Sequence, residues 1–198
     1  MRPPPAPDPE AAIQAALRDQ NWPLLERLCD QHDTADHPVP QLLPSALWYA
    51  SVGLAVFPLQ AGSKVPLRGS RGCKDASTDP DQIRQWWQSW PQANIGLATG
   101  GLVDVIDIDG PVGVASWARL DELPEALGTV STPRPGGSHL YVAAVPGLRN
   151  RTKIAPGIDF RGAGGYVVAP PSYVVEEAYE GIYRWRRPLR LPTMKAAA

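Results

Sequence analysis

The chain has 198 residues, 43% of them hydrophobic and 20% charged, with a formal net charge of -1. That length buries a proper core in one domain, with room for a small appendage. The composition is that of a soluble globular protein, and 23 Pro with 18 Gly call for many loops and short elements. No apolar run approaches membrane-spanning length, and MRPPPAPDPE has neither the basic start nor the apolar segment of a signal peptide. The expected location is therefore the cytoplasm, with no membrane partner. Cys29 and Cys73 are too few and too isolated for a disulfide framework or a cysteine zinc site, and they read as free thiols. The small net charge hides an asymmetry: from Arg134 onward there are 10 Lys+Arg against 4 Asp+Glu, which leaves 9 against 16 before it. A basic second half beside an acidic first half suits a protein that handles polyanions. Taken alone, Arg184, Arg186, Arg187 and Arg190 read as a solvated edge or tail.

In chain order, residues 1–41 read as a Pro-rich start and a helical extension. Asp8-Pro9 caps one helix carrying Ile13 and Leu17, and a second follows from about Asn21. His32 to Pro40 is a linker, where His32, His37, Asp33 and Asp36 read as solvated side chains rather than metal ligands. The main domain spans 42–190, with a tail at 191–198. It opens with a helix holding Leu47, Ala50 and Ser51 in register and ending at Gly53, then a strand over 54–59. Lys64, Arg68, Arg71 and Lys74 share one Gly-containing loop and form a candidate phosphate patch. Asp79-Pro80-Asp81-Gln82 starts a helix, and Ile83, Trp86, Trp87 and Trp90 at i, i+3, i+4 and i+7 are assigned to the core. A strand over 94–99 then turns at Gly100-Gly101 and pairs as a hairpin with the next strand.

That next strand is the centre of the sequence. In GLVDVIDIDG, from Gly101 to Gly110, alternation puts Asp107 and Asp109 on one side and Ile106 and Ile108 on the other. Paired carboxylates repel and resist burial unless a cation compensates them. A divalent-metal site and a pair of solvated carboxylates at a strand end are the two readings; oxygen ligands suit Mg²⁺ or Mn²⁺. A helix over 112–123 follows, with Val114, Trp117 and Leu120 facing inward. In TVSTPRPGGSHLYV, Gly136-Gly137 deliver a strand whose His139 and Tyr141 share a face, which makes His139 a candidate phosphate contact. In APGIDFRGAGGYVVAPPS, Asp159 lies in an apolar strand and needs a partner. Arg161, two residues on, is that partner, or Asp159 joins Asp107 and Asp109 as a third ligand.

The ordered series resembles one family. It comprises Lys64-Val65-Pro66, Lys74 to Pro80 (KDASTDP), Asn94 to Gly100 (NIGLATG), Val105 to Gly110 (VIDIDG), Gly136 to Tyr141 (GGSHLY), Gly157 to Gly162 (GIDFRG) and Gly164 to Ser172 (GGYVVAPPS). It is similar to the bifunctional DNA primase/polymerase domain of the archaeo-eukaryotic primase superfamily, from about Ala46 to Trp185. The resemblance implies an α/β (α+β) fold of the archaeo-eukaryotic primase type, an RRM-like catalytic module with a small flanking α/β module, here with an N-terminal helical extension. It implies that Asp107 and Asp109 fill the D-x-D/E metal motif, that Asp159 is the third acidic position, and that together they hold two Mg²⁺ or Mn²⁺ ions. His139 takes the histidine of the S-x-H motif, whose first position here is Gly137. Lys64, Arg134 and Arg161 are expected on nucleotide phosphates, and Arg149, Arg151 and Lys153 on the nucleic acid. The implied activity is template-directed nucleotidyl transfer, with single-stranded DNA and dNTP or NTP as partners and a separate helicase or replication protein beside it. A metal-dependent phosphoesterase and a non-catalytic nucleic-acid or nucleotide-binding accessory are the alternatives.

Overall fold

The computed structural model describes residues 41–120 and 122–191, all within the unit Pro40–Ala198. The expected helices over 8–30, the linker at 32–40 and most of the tail lie outside the described residues. Among those described, the elements are α1 (Leu42–Ser51), β1 (Val56–Leu59), α2 (Pro80–Ser89), β2 (Asn94–Ala98), β3 (Val103–Ile108) and α3 (Gly110–Trp117). There follow β4 (Gly128–Ser131), β5 (Ser138–Ala143), β6 (Arg151–Ala155), β7 (Ile158–Arg161), β8 (Tyr166–Ala169), β9 (Tyr173–Glu176), β10 (Tyr179–Ile182) and β11 (Arg184–Arg187). A 3₁₀ turn at Gly72–Asp75 interrupts the loop before α2.

The strands form a three-stranded sheet in the order β1-β2-β8, a six-stranded sheet in the order β11-β4-β5-β3-β7-β6, and a β9–β10 hairpin. Every strand pair is antiparallel. Because β3 and β4 both pair antiparallel with β5, they run parallel to each other, and α3 joins them as a split βαβ unit. The fold is thus mixed α+β with few helices. The expected β2–β3 hairpin does not form, since β2 pairs with β1 and β8 while β3 enters the larger sheet. Gly100 causes this: its φ of +90 and the packing of its α-carbon against Ala163 redirect the chain instead of folding it back.

β3 is buried on both sides. Val103 and Val105 join the main core with α1, α2 and the three-stranded sheet, while Ile106 and Ile108 face a second cluster with Val142 and Ile158. Trp117 packs on that second cluster, but Val114 and Leu120 are 47% and 44% exposed, so α3 covers the sheet with one aromatic ring rather than the predicted three-residue face. The helix also ends at Trp117, short of Leu123.

α1 buries Leu42, Ala46, Tyr49 and Ala50, one position off the predicted face. It closes at Gly53, whose φ is +86, with Gly53 N–H donating to Ala50 O and Leu54 N–H to Tyr49 O, the paired bonds of a Schellman cap. In α2 the Asp79 carboxylate accepts the Asp81 N–H at 2.9 Å, as the sequence predicts. Its tryptophans divide, however. Trp87 is 2% exposed and donates to Ala93 O, whereas Trp90 is 47% exposed and Trp86 half-buried.

Tyr49 joins three elements: its hydroxyl donates to Pro170 O at 2.8 Å and accepts the Trp185 indole N–H at 3.1 Å. Tyr49→Phe leaves a carbonyl and an indole N–H without their partner, and a loss of about 1–3 kcal/mol is expected in urea unfolding. Of the four arginines read as a solvated edge or tail, Arg184, Arg186 and Arg187 lie in β11, an edge strand paired with β4, and Arg190 follows it, its N–H donating to Leu127 O.

Candidate active site

Register brings the predicted residues together. Asp107 on β3 stands directly opposite His139 on β5 and opposite Asp159 on β7, so the three lie on one rung across adjacent strands. Alternation places Arg161 on the same face as Asp159. The face that is apolar core at Val103 and Val105 becomes polar at Asp107.

The groups on this rung are bonded to one another. The Arg161 guanidinium Nη2 donates to Asp159 Oδ2 at 2.7 Å and to Asp107 Oδ2 at 3.2 Å. His139 Nε2 lies 3.5 Å from Asp107 Oδ1. Asp159 Oδ1 accepts a second bond, at 2.6 Å, from the backbone N–H of Lys153. Lys153 reaches that position at φ +54, in a bulge where β6 loses register with β7. The sequence assigns Lys153 through its side chain, while the structure adds a backbone role that no side-chain pattern reveals. Arg161 therefore is the structural partner that Asp159 needs.

His139 is 4% exposed, with its ring against Tyr183 at 5.5 Å between centroids. Burial lowers its pKa below the usual histidine value against the opposing pull of Asp107, so the ring is neutral at pH 7. Its Nδ1 has no hydrogen-bond partner among the described residues. Gly137 precedes it for a steric reason. A side chain there would run into the Thr132 hydroxyl, and the Thr132–Gly137 turn is closed by Thr132 N–H to Gly137 O and Gly137 N–H to Arg134 O. The motif's missing hydroxyl reflects the space available.

Asp109 lies just past β3, as the N-cap residue of α3, and its side chain is 41% exposed. Its carboxyl is pushed up by burial and next by the charge of Asp107, against the nearby Arg134 and Lys64. Arg134 Nη1 is 3.3 Å from Asp109 Oδ1. Lys64 and Arg134 both lie over the Tyr179 ring, at 5.0 and 5.4 Å, and Lys64 also bonds the Tyr179 hydroxyl and Glu176 at 3.2 Å. The β9–β10 hairpin thus holds two of the predicted phosphate contacts beside the acidic groups. Sequence reading passes over Tyr179 and Glu176, which follow the Pro170-Pro171 stop with no motif to mark them. Arg151 and Lys153 are exposed on β6, the outer strand next to β7, and Arg149 is exposed just before it.

The donor set decides whether a divalent cation fits. Among the described residues no three His, Cys, Asp or Glu side chains converge as a ready-made metal cluster, and Arg161 stands between Asp107 and Asp159 instead. The chemistry fits: all three candidates offer carboxylate oxygens, and Asp109 is pushed up first by burial and then by the charge of Asp107, both of which a cation would offset. Cys73 is a free thiol outside this site.

The acidic groups of the rung and Asp109 beside it are thus flanked by three cations, Arg161, Arg134 and Lys64. Residues 46–195 match the family described as bifunctional DNA primase/polymerase, N-terminal, and the chain belongs to that family. Membership implies nucleotidyl transfer in general, binding of DNA and nucleotides, and the divalent-metal dependence typical of these domains. No curated protein sequence matches the chain. No helix among the described residues is long and apolar enough to cross a membrane.

Proposed function

We propose that this protein is a DNA primase/polymerase of DNA replication, adding nucleotides to a growing strand at the Asp107 rung. The observation that carries the reading is the alignment of His139, Asp107 and Asp159 on one rung of three adjacent strands. The sheet order β4-β5-β3-β7 with α3 supports an RRM-like catalytic module, and the three-stranded sheet with α1 and α2 is its smaller companion. By this division the catalytic domain covers 42–190, with 1–41 an extension and 191–198 a tail.

Asp107, Asp109 and Asp159 would hold two Mg²⁺ or Mn²⁺ ions. When bound, these ions lower the pKa of the attacking 3'-hydroxyl and neutralise charge on the triphosphate. The protein's own groups do the rest. Arg161 keeps Asp107 and Asp159 on one face and carries a charge that phosphate oxygens can share. His139, buried and neutral, offers the incoming nucleotide's phosphates a hydrogen bond rather than a charge. Gly137 gives that strand its close turn, and Lys64 and Arg134, steadied by Tyr179, take the outer phosphates. Arg149, Arg151 and Lys153 meet the template backbone, which makes binding salt-dependent and tolerant of sequence. The partners are single-stranded DNA, dNTP or NTP, and a separate helicase or replication protein, in the cytoplasm.

The test is incorporation of labelled dNTP and NTP on single-stranded templates, with and without primer, in Mg²⁺ and in Mn²⁺. Metal-dependent elongation is expected. Release of nucleotides from DNA in the absence of dNTP would instead identify a phosphoesterase, and metal-independent binding with no incorporation would identify an accessory.

A further inference from the structure

The tryptophan stripe of α2 leaves part of itself uncommitted. Gln82, Trp86 and, just past the helix, Trp90 recur every four residues along one flank; Trp86 is half-buried with one side on the main core, while Trp90 is exposed. That flank forms one wall of an open cleft of about 650 Å³. The opposite wall is the loop over 67–77, which brings Arg68, Arg71 and Lys74 into the same cleft. None of the lining residues belongs to the Asp107 rung.

The loop is built rather than slack. Ser70 Oγ donates to Leu67 O at 2.8 Å and accepts the Gly72 N–H at 3.3 Å, and Gly72, at φ +62, lies against Pro66. The acidic groups of the cleft are already engaged. Asp75 takes the Arg71 N–H and guanidinium, each at 2.7 Å, and Asp79 caps α2. Arg68 and Lys74 are exposed and have no anionic partner among the described residues. One wall therefore presents indole faces and the other presents free cations. A single strand of nucleic acid has the complementary alternation, with flat bases to stack on tryptophan and phosphates to meet Arg and Lys.

We infer that this cleft is a second contact site for single-stranded nucleic acid, with bases stacked on Trp90 and Trp86 and phosphates held by Arg68 and Lys74. The inference rests on the nucleic-acid reading above and extends it to a part of the chain remote in composition from the acidic site. It also accounts for an exposed tryptophan at the end of α2, where helix packing does not require one.

The experiment is fluorescence anisotropy of a labelled oligo-dT with the full chain in EDTA, so that neither metal nor turnover contributes. Arg68→Ser with Lys74→Ser is expected to weaken binding about tenfold and to make the salt dependence shallower by about 1.4 in the log–log slope, at roughly 0.7 per lost contact. Trp90→Ala is expected to weaken it about 5- to 100-fold, with Trp90→Phe recovering most of the loss. Thermal midpoints of these surface variants should match wild type, which separates lost contact from lost fold. Wild-type affinity and slope in both the charge and the Trp90→Ala variants would overturn the site. So would unchanged oligo-dT binding with lost binding of a poly-Glu peptide, which would assign the cleft to an acidic protein. The two readings fail separately: incorporation with intact oligo-dT binding in the variants removes this cleft alone. Lost oligo-dT binding in variants of a protein that never incorporates nucleotide removes the polymerase reading alone.

Discussion

Asp107→Asn is expected to lower nucleotide incorporation by about 10²- to 10³-fold while leaving the fold intact, the size of effect seen when a charge-stabilising group is removed from a preorganised site. The amide keeps the volume of the carboxylate, so β3 stays anchored by Val103 and Val105, both fully buried, and by its pairing with β5 and β7. What is lost is the charge shared between Arg161 at 3.2 Å and His139 at 3.5 Å. Asp107 sits between its two partners on the rung, so no other carboxylate can take its place without moving a strand. Steady-state incorporation with matched circular dichroism spectra checks this. A loss smaller than tenfold would mean that the reaction is centred elsewhere.

Gly157→Ala is expected to cost about 2–5 kcal/mol and to impair activity with it. Gly157 has φ +68, a conformation that costs an L-residue about 1–2 kcal/mol. Its new Cβ would also stand 2.5 Å from Gly113 N, 2.8 Å from Gly113 Cα and 3.1 Å from Asp109 O. These are backbone atoms that cannot rotate away, and overpacking of this kind adds about 1–3 kcal/mol. The contact matters to the site because Asp109 N–H donates to Gly157 O at 2.7 Å, so the β6–β7 turn holds the very residue that starts α3. Urea unfolding of the variant should show a clear drop in midpoint. An unchanged midpoint would mean that the turn and α3 are not locked together.

The parts legible in the sequence are those governed by local rules. Alternation in VIDID separates Asp107 from its apolar neighbours, Asp79 with Pro80 announces α2, and Gly53 closes α1. The Gly-Gly turn before His139 is likewise visible, and the structure adds its reason in the Thr132 hydroxyl. What stayed hidden depends on contacts between distant segments. The Gly100 turn reads as a hairpin until Ala163 is seen against it. Trp86, Trp87 and Trp90 look alike in a periodic pattern, and only the packing of the main core shows that Trp87 is the one fully buried. Val114 and Leu120 fit an inward face, yet the surface beneath α3 is met by Trp117 and the close approach of Gly113 instead. The bond from the Lys153 backbone to Asp159 has no sequence signature, because it comes from a bulge. Tyr179 matters through two cations that lie far from it in the chain.

The central claim is that the Asp107 rung joins a nucleotide to a strand rather than hydrolysing one. The most direct measurement follows primer elongation and pyrophosphate release together, from one labelled dNTP on a primed single-stranded template, in wild type and in Asp107→Ala/Asp109→Ala. One pyrophosphate per nucleotide added, with both signals lost in the variant, is the predicted result. Phosphate or nucleoside monophosphate released without elongation, or elongation that persists in the variant, would contradict it.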